Sequence, residues 1–358
     1  MGYIKPEQIT KQIRKHDMQY FIILGMRSNG KSSATKKYCL EQYLKNGKKF
    51  FYVRRYATDL KNWQVESYFE SVDGFRISEI TAGKWEKIVV KQGKLYLCKT
   101  VIENNKEVKI LDADCCGYVG AISNAEHLKS LNFPDCENII FEEFVTDKTY
   151  LTNETSLLFS IVSTVFRNRR GIVFMVANTI SEVNPYFREF ELDKISTQRQ
   201  NTVDIYLNDN TKIAVWLTAP LNQETEGDKM SFGEISRMIK HGEWQRDKKR
   251  KLEKTIDHYN ELYTMVFKFR NKLFLMQLME RNGGHVWYIS PKTTEIQKDT
   301  RVVSDTDVEN DLCTIGFIPL NQNENRAFAL LKQGKIAYSD NLTGTQFKQC
   351  YEQMERGL

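Results

Sequence analysis

The sequence lacks the patterns of a secreted, membrane-spanning or repetitive protein. Its seven cysteines are scattered and odd in number, and no C-x-x-C pair occurs among them. We therefore expect reduced thiols in a cytoplasmic compartment rather than a disulfide framework or a thiolate metal site. No apolar run approaches the ~20 residues that span a bilayer, and the N-terminus has no apolar signal segment. Internal repeats and low-complexity tracts are also absent. We expect a soluble, intracellular protein with no membrane partner.

Charge of either sign is not strongly in excess. The net charge of +6 permits a nucleic-acid partner without requiring one. Hydrophobic residues at 41% and aromatic residues at 12% indicate a globular protein, and 358 residues exceed what one compact core holds. We predict two domains and a connecting piece: a larger N-terminal domain over residues 1–218, a helical linker over 219–255, and a smaller C-terminal domain over 256–358.

The most informative stretch is residues 21–38, where a short apolar strand leads into the spelling G-M-R-S-N-G-K-S. This matches the phosphate-binding loop pattern G-x-x-x-x-G-K-[ST]. Gly25 and Gly30 permit the tight path in which backbone N–H groups face a phosphate, Lys31 supplies a cation, and Ser32 supplies a hydroxyl for Mg²⁺. A strand–turn–helix joint with an accidental lysine is the alternative. The predicted ligands are ATP and Mg²⁺, held by Gly25, Arg27, Ser28, Asn29, Gly30, Lys31, Ser32 and Ser33.

Residues 137–144 form a second informative stretch, in which an apolar run ends in the paired acids Glu142 and Glu143. This is typical of a buried parallel strand whose C-terminal tip enters an active site. We expect Glu142 to bind Mg²⁺, directly or through water, and Glu143 to polarise the attacking water. Two surface acids are the alternative, and the glutamate where an aspartate is usual leaves direct ligation open. Asn178 ends the next apolar strand and either senses the γ-phosphate or is a turn residue.

Several arginines are candidates for stabilising charge in the transition state. The run 166–170 lies at a predicted helix end, and its arginines either cap helix carbonyls or reach a neighbouring subunit's nucleotide as arginine fingers. Arg27 is a candidate that acts within its own chain. Arg54 and Arg55 follow the second predicted strand, where a solvated pair is favoured over nucleotide contact. The finger candidates are Arg167, Arg169 and Arg170.

Strands alternate with helices in the first domain, which indicates an α/β fold with a parallel sheet covered on both faces. Strands are predicted at 21–24, 50–53, 117–122, 137–144 and 172–177, helices at 6–18, 32–44, 59–70 and 153–169, and hairpins at 94–111 and 204–217. The second domain is predicted as α+β. Its elements are an antiparallel meander (265–269, 272–279, 286–289), a run at 312–318, a helix at 324–332, a strand at 336–338 and a final helix from Thr343.

The motifs in this order resemble the DNA-encapsidation ATPases of small tailed podoviruses, the phi29 type of packaging motor. The resemblance covers roughly residues 18–190, and beyond 220 it depends on domain order alone. The motifs are G-x-R-x-x-G-K-S with Arg27, F-Y-V-R-R-Y at 51–56, F-E-E-F at 141–144, V-F-R-N-R at 165–169 and A-N-T-I-S-E-V-N-P-Y-F at 177–187.

The resemblance implies a terminase-like P-loop ATPase of the ASCE type. It further implies a homomeric ring of five subunits, docked on the capsid portal through a packaging RNA, that threads double-stranded DNA into a preformed capsid in the host cytoplasm. Lys31 and Ser32 would bind phosphate and Mg²⁺, Glu143 would be the catalytic glutamate, and Arg167 is the first choice for the finger, with Arg170 and Arg169 behind it.

The second domain of such proteins resembles a ribonuclease-H-type nuclease that has lost its function. An active nuclease needs several carboxylates around two metals, and the hairpin 266–275 carries none. We interpret the acids at 299–311 (Asp299, Asp305, Asp307 and Asp311) as a solvated loop, and we predict no nuclease activity. The hairpin cations Lys268, Arg270 and Lys272 either contact a phosphate backbone or line an exposed strand face.

Nucleic-acid contact requires exposed cations that act independently of base sequence. By position, the candidates are Lys106 on the hairpin loop, Lys129, and Lys148 after the acidic strand. The basic run Lys248, Lys249, Arg250 and Lys251 binds RNA or DNA, or is a solvated helix face. Two other functions remain open: a nucleotide-gated binding module that moves nothing, and a terminase-like motor with an active nuclease. A generic hexameric helicase is less favoured.

Overall fold

The computed structural model describes residues 3–70, 76–146, 150–179, 184–192, 194–219, 259–270, 272–292, 294 and 296–355. The chain divides into two compact units, Met1–Trp244 and Gln245–Leu358. The predicted linker lies, except for its first residue, outside the described residues, as does the basic run 248–251. The three-part division therefore stays a prediction. Among the helices that the structure describes, none is long and apolar enough to cross a membrane. All seven cysteines are free thiols.

The first unit is built on one mixed sheet of ten strands. They are β1 Tyr20–Gly25, β2 Lys49–Arg54, β3 Lys87–Lys91, β4 Lys94–Glu103, β5 Lys106–Leu111, β6 Gly117–Ala121, β7 Cys136–Glu142, β8 Ile172–Asn178, β9 Thr202–Asn208 and β10 Thr211–Leu217. Their order is β3-β4-β6-β2-β7-β8-β1-β10-β9, with β5 paired to β4. The six strands from β6 to β10 in this order are parallel to their neighbours, and the edge pairings are antiparallel. The predicted α/β class is confirmed.

Helices cover both faces of this sheet. They are α1 Pro6–His16, α2 Lys31–Asn46, α3 Asn62–Phe69, α4 Ile77–Ile80, α5 Ala125–Leu128, α6 Glu154–Phe166 and α7 Pro185–Glu189. Successive strand side chains point to opposite faces, and β1 and β2 are buried along their whole length, so each strand contributes to two cores. Phe21 and Ile23 pack in one core with residues of α1 to α4, whereas Ile22 and Leu24 pack in the other with residues of α5 to α7.

Four details of the first unit differ from the sequence predictions. Strand β3 was not predicted. Strand β10 does more than close a hairpin, because it joins the parallel sheet beside β1 with Tyr20 opposite Ile213. The predicted helix 59–70 is divided into a 3₁₀ turn at Ala57–Leu60 and the helix α3. Lys106 begins β5 rather than lying in the hairpin loop, since the two-residue turn at 104–105 takes the positive φ angles that such turns require.

The second unit is α+β, as predicted. Its strands are β11 Asn260–Phe269, β12 Lys272–Arg281, β13 Gly284–Pro291, β14 Val302–Ser304, β15 Cys313–Ile315 and β16 Ile336–Tyr338, and its helices are α8 Gln322–Lys332 and α9 Asn341–Glu355. The order is β15-β14-β11-β12-β13-β16, with the expected antiparallel meander of β11, β12 and β13 at the centre. Strands β14, β15 and β16 join it in parallel.

The acidic segment of this unit is more ordered than predicted. Strand β14 runs through it, because Val302 and Val303 are buried against β11. Asp305 is half-buried, and its carboxylate accepts the backbone N–H of Arg270 at 2.9 Å, so it is not part of a solvated loop. Asp299, Asp307 and Asp311 are exposed, as expected. The hairpin cations Lys268, Arg270 and Lys272 are half-buried, and the Arg270 guanidinium lies over the ring of Phe269.

A buried ion pair links the start of β14 to the first turn of α8. The Arg301 Nε lies 2.9 Å from a carboxylate oxygen of Glu324, and both side chains are 4% exposed. Arg301 also donates to the carbonyl oxygens of Leu312 and Ile318, each at 2.9 Å. The Glu324 carboxylate accepts the Tyr263 hydroxyl at 2.5 Å. Each charge is therefore compensated within the unit.

We expect Glu324→Ala to lower the free energy of unfolding by ~3–5 kcal/mol, because it leaves the Arg301 charge buried without its partner. Urea unfolding of the full chain measures this. The matched control is Glu309→Ala at an exposed position, which should change stability by less than about 0.5 kcal/mol. Equal changes in the two variants would contradict the role assigned to the pair.

Candidate nucleotide site

The phosphate-binding loop connects β1 to α2, as predicted. Gly25 has a φ of 154° and Gly30 a φ of 86°. A Cβ at Gly25 would lie 1.9 Å from the Thr218 Oγ1, so only glycine fits there. The same hydroxyl accepts the Asn29 amide at 2.7 Å, which ties the loop to the residue after β10. The sequence pattern explains the glycines, whereas nothing local to the loop indicated Thr218.

Lys31 is folded into its own loop. Its ammonium donates to the carbonyl oxygens of Met26 at 2.5 Å and Gly25 at 3.3 Å, and to the side-chain oxygens of Asn29 at 3.1 Å and Asn178 at 3.2 Å. Burial lowers the pKa of Lys31 to about 7, and the charge of Glu142 opposes this shift. The structure thus brings the predicted residues Asn29, Lys31 and Asn178 together. Arg27 and Ser28 are exposed on the same loop.

Glu142 lies buried at the tip of β7 with three partners. Its carboxylate accepts the Tyr52 hydroxyl at 2.5 Å and lies 3.2 Å from the Lys36 ammonium. Burial raises the pKa of Glu142, but the charge of Lys36 and the hydrogen bonds from Tyr52 and Ser32 outweigh it, so the pKa is lowered. A carboxylate oxygen and the hydroxyl oxygen of the P-loop serine are the two protein ligands expected to hold Mg²⁺. Ser32 and Glu142 therefore fit that ion.

Lys36 was missed by the sequence analysis. It follows Ser32 by four residues on α2, a spacing that places both side chains on one helix face and was available as a signal. Its ammonium also donates to the Tyr68 carbonyl oxygen at 2.8 Å, near the end of α3. Lys36 thus joins the metal-side carboxylate to the neighbouring helix.

Glu143 points to a different environment from Glu142. Its side chain is 68% exposed, and its carboxylate lies 2.5 Å from the guanidinium of Arg54. Its φ is 57°, a left-handed value that costs free energy for any residue but glycine. Arg54 and Arg55 are both buried, so the expected solvated pair was wrong. Each guanidinium instead forms an ion pair with a carboxylate that is distant in the sequence. Arg54 pairs with Glu143, and Arg55 pairs with Glu154.

The finger candidates lie at the amino-terminal ends of the parallel strands, whereas the phosphate-binding loop lies at their carboxyl ends. The run 167–170 precedes β8 and Asn178 ends it, so the seven residues of this strand separate the two by roughly 20 Å. Arg169 caps the carbonyl oxygens of Val165 and Phe133, each at 2.6 Å. Arg167 donates to the Leu131 carbonyl oxygen at 2.8 Å, and Arg170 pairs with Asp17 at 2.5 Å on the surface. These arginines are therefore remote from their own chain's loop.

The nucleic-acid candidates are only partly described. Lys106 is exposed at the start of β5. Lys129 is also exposed, and its ammonium lies 2.7 Å from the Glu126 carboxylate one helical turn earlier. Four candidates lie outside the described residues, namely Lys148, Lys248, Lys249 and Arg250.

Comparison with known proteins confirms the family resemblance. Residues 3–341 match the family model described as Podovirus DNA encapsidation protein (Gp16). The DNA packaging protein of Bacillus phage phi29 is 29% identical over 241 residues, which are 66% of this chain and 64% of the phage protein, less than two thirds of its length. That of Bacillus phage B103 is 22% identical over 338 residues, which are 93% of this chain and 96% of that protein.

Two solved structures share the fold. A chain of the bacteriophage Phi-29 viral genome packaging motor assembly superposes with a TM-score of 0.60 at 23% identity, covering 99% of this chain and 100% of that one. A chain of the Phi-28 gp11 DNA packaging motor gives a TM-score of 0.51 at 18% identity, covering 99% and 98%. The fold of both units is thus found in other phage proteins.

We expect nucleotide binding to take up a proton above pH 7. Lys31 has a pKa of about 7 without ligand, and phosphate oxygens favour its charged form, so affinity should fall about fivefold from pH 7 to pH 8. Calorimetry in buffers of different ionisation enthalpy measures the uptake. Lys31→Arg stays charged and serves as the control, with no uptake from this position. Equal affinities at both pH values in the wild type would contradict the prediction.

Proposed function

Because the chain belongs to the podovirus DNA encapsidation protein (Gp16) family, we propose that it is an ATP-driven motor that moves double-stranded DNA into a preformed capsid. The observation that carries this proposal is that Lys31, Glu142 and Asn178 come together at the carboxyl ends of neighbouring parallel strands, with Glu143 next in the chain. The carboxyl ends of the strands are where open α/β sheets bind their ligands. A phosphate loop with one buried and one exposed carboxylate has the parts that hydrolysis needs.

Each residue then has a task in the reaction. On nucleotide binding, Lys31 exchanges its loop carbonyls for phosphate oxygens, and the N–H groups at the start of α2 face the same anion. Ser32 and Glu142 would hold Mg²⁺, which would neutralise phosphate charge. Glu143 orients the attacking water and accepts its proton once its carboxylate leaves Arg54, because a carboxylate bound to a guanidinium is a poorer base. Asn178 binds the γ-phosphate or that water.

The arginines of the run 167–170 serve a second subunit in this proposal. They lie at the opposite ends of the strands from their own chain's phosphate-binding loop, so an arginine finger from this run is supplied in trans. A homomeric ring with ATP at its subunit interfaces meets that requirement, and the family resemblance implies five subunits. A packaging RNA, the capsid portal and the host cytoplasm are part of the same proposal.

A nucleotide-gated binding module is the second candidate. It is favoured by one observation, the self-paired state of the site, in which Lys31 binds its own loop and Glu143 binds Arg54. In such a module, Lys31 and Glu143 exchange these partners when nucleotide binds, and fast ATP hydrolysis is not required. The third possibility, an active nuclease, would require grouped metal ligands. Across the described residues, no group of three or more His, Cys, Asp or Glu side chains could hold a metal ion. An assay for metal-dependent DNA cleavage by the full chain tests this possibility directly.

Glu143→Gln tests the assigned base by ATP hydrolysis with and without long double-stranded DNA. We expect wild-type turnover to rise with DNA, and the variant to lose at least ~100-fold while still binding nucleotide, because only the base is removed. The matched control is Glu137→Gln, at the other end of the same stretch, which should keep wild-type turnover. Turnover indifferent to DNA, or surviving in Glu143→Gln, would favour the binding module.

Mixing Arg167→Ala subunits into wild type tests the proposed finger. If the finger acts in trans, ATP turnover falls as the share of Arg167→Ala subunits rises. A mixture of Arg167→Ala and Lys31→Ala subunits should regain part of the turnover, because some interfaces then combine an intact Lys31 from one subunit with an intact Arg167 from the other. Steady-state hydrolysis at a fixed total concentration measures both effects. Asn168→Ala, at the adjacent exposed position, is the control. No loss on mixing and no recovery in the second mixture would refute Arg167 as the finger.

A further inference from the structure

A buried ion pair contacts the backbone of Glu143, the proposed catalytic carboxylate. Arg55 follows β2, and Glu154 is the first residue of α6. The Arg55 Nε donates to both carboxylate oxygens, at 3.0 and 2.8 Å. The two side chains are 8% and 0% exposed. A buried pair of this kind is weak evidence for stability, since apolar replacements of similar volume are often as stable. Its other contacts show what else it does.

The remaining nitrogens of Arg55 hold the backbone that follows β7. Nη1 donates to the carbonyl oxygen of Glu143 at 3.1 Å, and Nη2 donates to that of Phe144 at 2.7 Å. These carbonyls belong to two consecutive peptides on either side of Phe144, immediately after the left-handed residue Glu143. Residues in such conformations persist only where their surroundings hold them. The planar fork of arginine presents its donors on two sides, so that Nε binds the carboxylate while Nη1 and Nη2 bind the two carbonyls, a geometry that the single ammonium of a lysine does not reproduce.

Glu154 extends the same cluster to the far end of the following loop. Its carboxylate accepts the Tyr186 hydroxyl at 2.6 Å and the Leu151 backbone N–H at 2.8 Å. The Arg55 guanidinium also lies over the Tyr150 ring, 4.9 Å from its centroid. The Tyr150 hydroxyl in turn accepts the Thr146 N–H at 3.1 Å. The described residues 144–146 and 150–151 are therefore held around one ion pair.

We propose that Arg55 is a positioning residue, which holds Glu143 in its left-handed conformation through the carbonyl groups of Glu143 and Phe144. The proposal rests on the proposed function, in which Glu143 is the base. Turnover thus depends on this guanidinium through the conformation of Glu143, although Arg55 itself does not touch the nucleotide.

The test compares Arg55→Lys, Arg55→Gln, Glu154→Gln and the double variant Arg55→Gln/Glu154→Gln in the full chain. We expect Arg55→Lys to fold and to bind a fluorescent ATP analogue with wild-type affinity. Its turnover should fall at least tenfold, because a single ammonium does not reproduce the fork that holds both carbonyls in place. Arg76→Lys, an exposed position paired with Glu79, is the matched control and should leave turnover unchanged.

The double variant separates positioning from stability. Removing both charges should recover the unfolding midpoint that each glutamine substitution lowers, since no uncompensated charge remains. Turnover should stay at least tenfold below wild type if Arg55 positions Glu143. Recovery of turnover in parallel with stability would reduce the pair to a structural ion pair and overturn the proposal. Failure of the proposed function is visible separately, as wild-type turnover that ignores DNA or survives Glu143→Gln.

Discussion

The parallel register of four strands is the constraint on which the site depends. In β1 and β8, Gly25 lies opposite Asn178, and in β7 and β8, Glu142 lies opposite Val176. Strand β2 pairs with β7 so that Val53 lies opposite Phe141, which places Arg54 beside the acidic tip. A slip of one residue in any of these pairs would turn the side chains to the other face of the sheet. The apolar residues of both cores thus fix the polar residues at the strand ends.

Burial of charge is the second constraint, and it explains why the site is paired within itself. Taking an ammonium or a carboxylate out of water costs several kcal/mol unless a partner compensates. Lys31 therefore binds carbonyl and amide oxygens, and Lys36 lies against Glu142. Arg54 likewise meets Glu143. A triphosphate with its metal ion brings charges of both signs, so it exchanges partners with groups that are already oriented toward the site.

The sequence was sufficient for features that local chain geometry determines. The loop, the helix after it and the acidic strand tip were predicted because glycine spacing and apolar runs report local structure. Arg54 and Arg55 were misinterpreted as solvated, since charged side chains are rarely buried without a partner. Their partners, Glu143 and Glu154, are 89 and 99 residues away. The pairing of β2 with β7 brings Glu143 near, and the packing of α6 brings Glu154 near. Both are properties of the whole fold, so no local pattern revealed these pairs.

Two arginines, one in each unit, meet the same physical need in different places. Irregular backbone beside a buried strand end leaves carbonyl groups that must find donors. Arg301 supplies them to Leu312 and Ile318 while its charge is compensated by Glu324. Arg55 does the same for two carbonyls next to β7, but one of them belongs to Glu143. Satisfying that backbone group also holds the conformation of the residue that carries the proposed base, so at this position the demands of folding and of the proposed catalysis act on a single side chain.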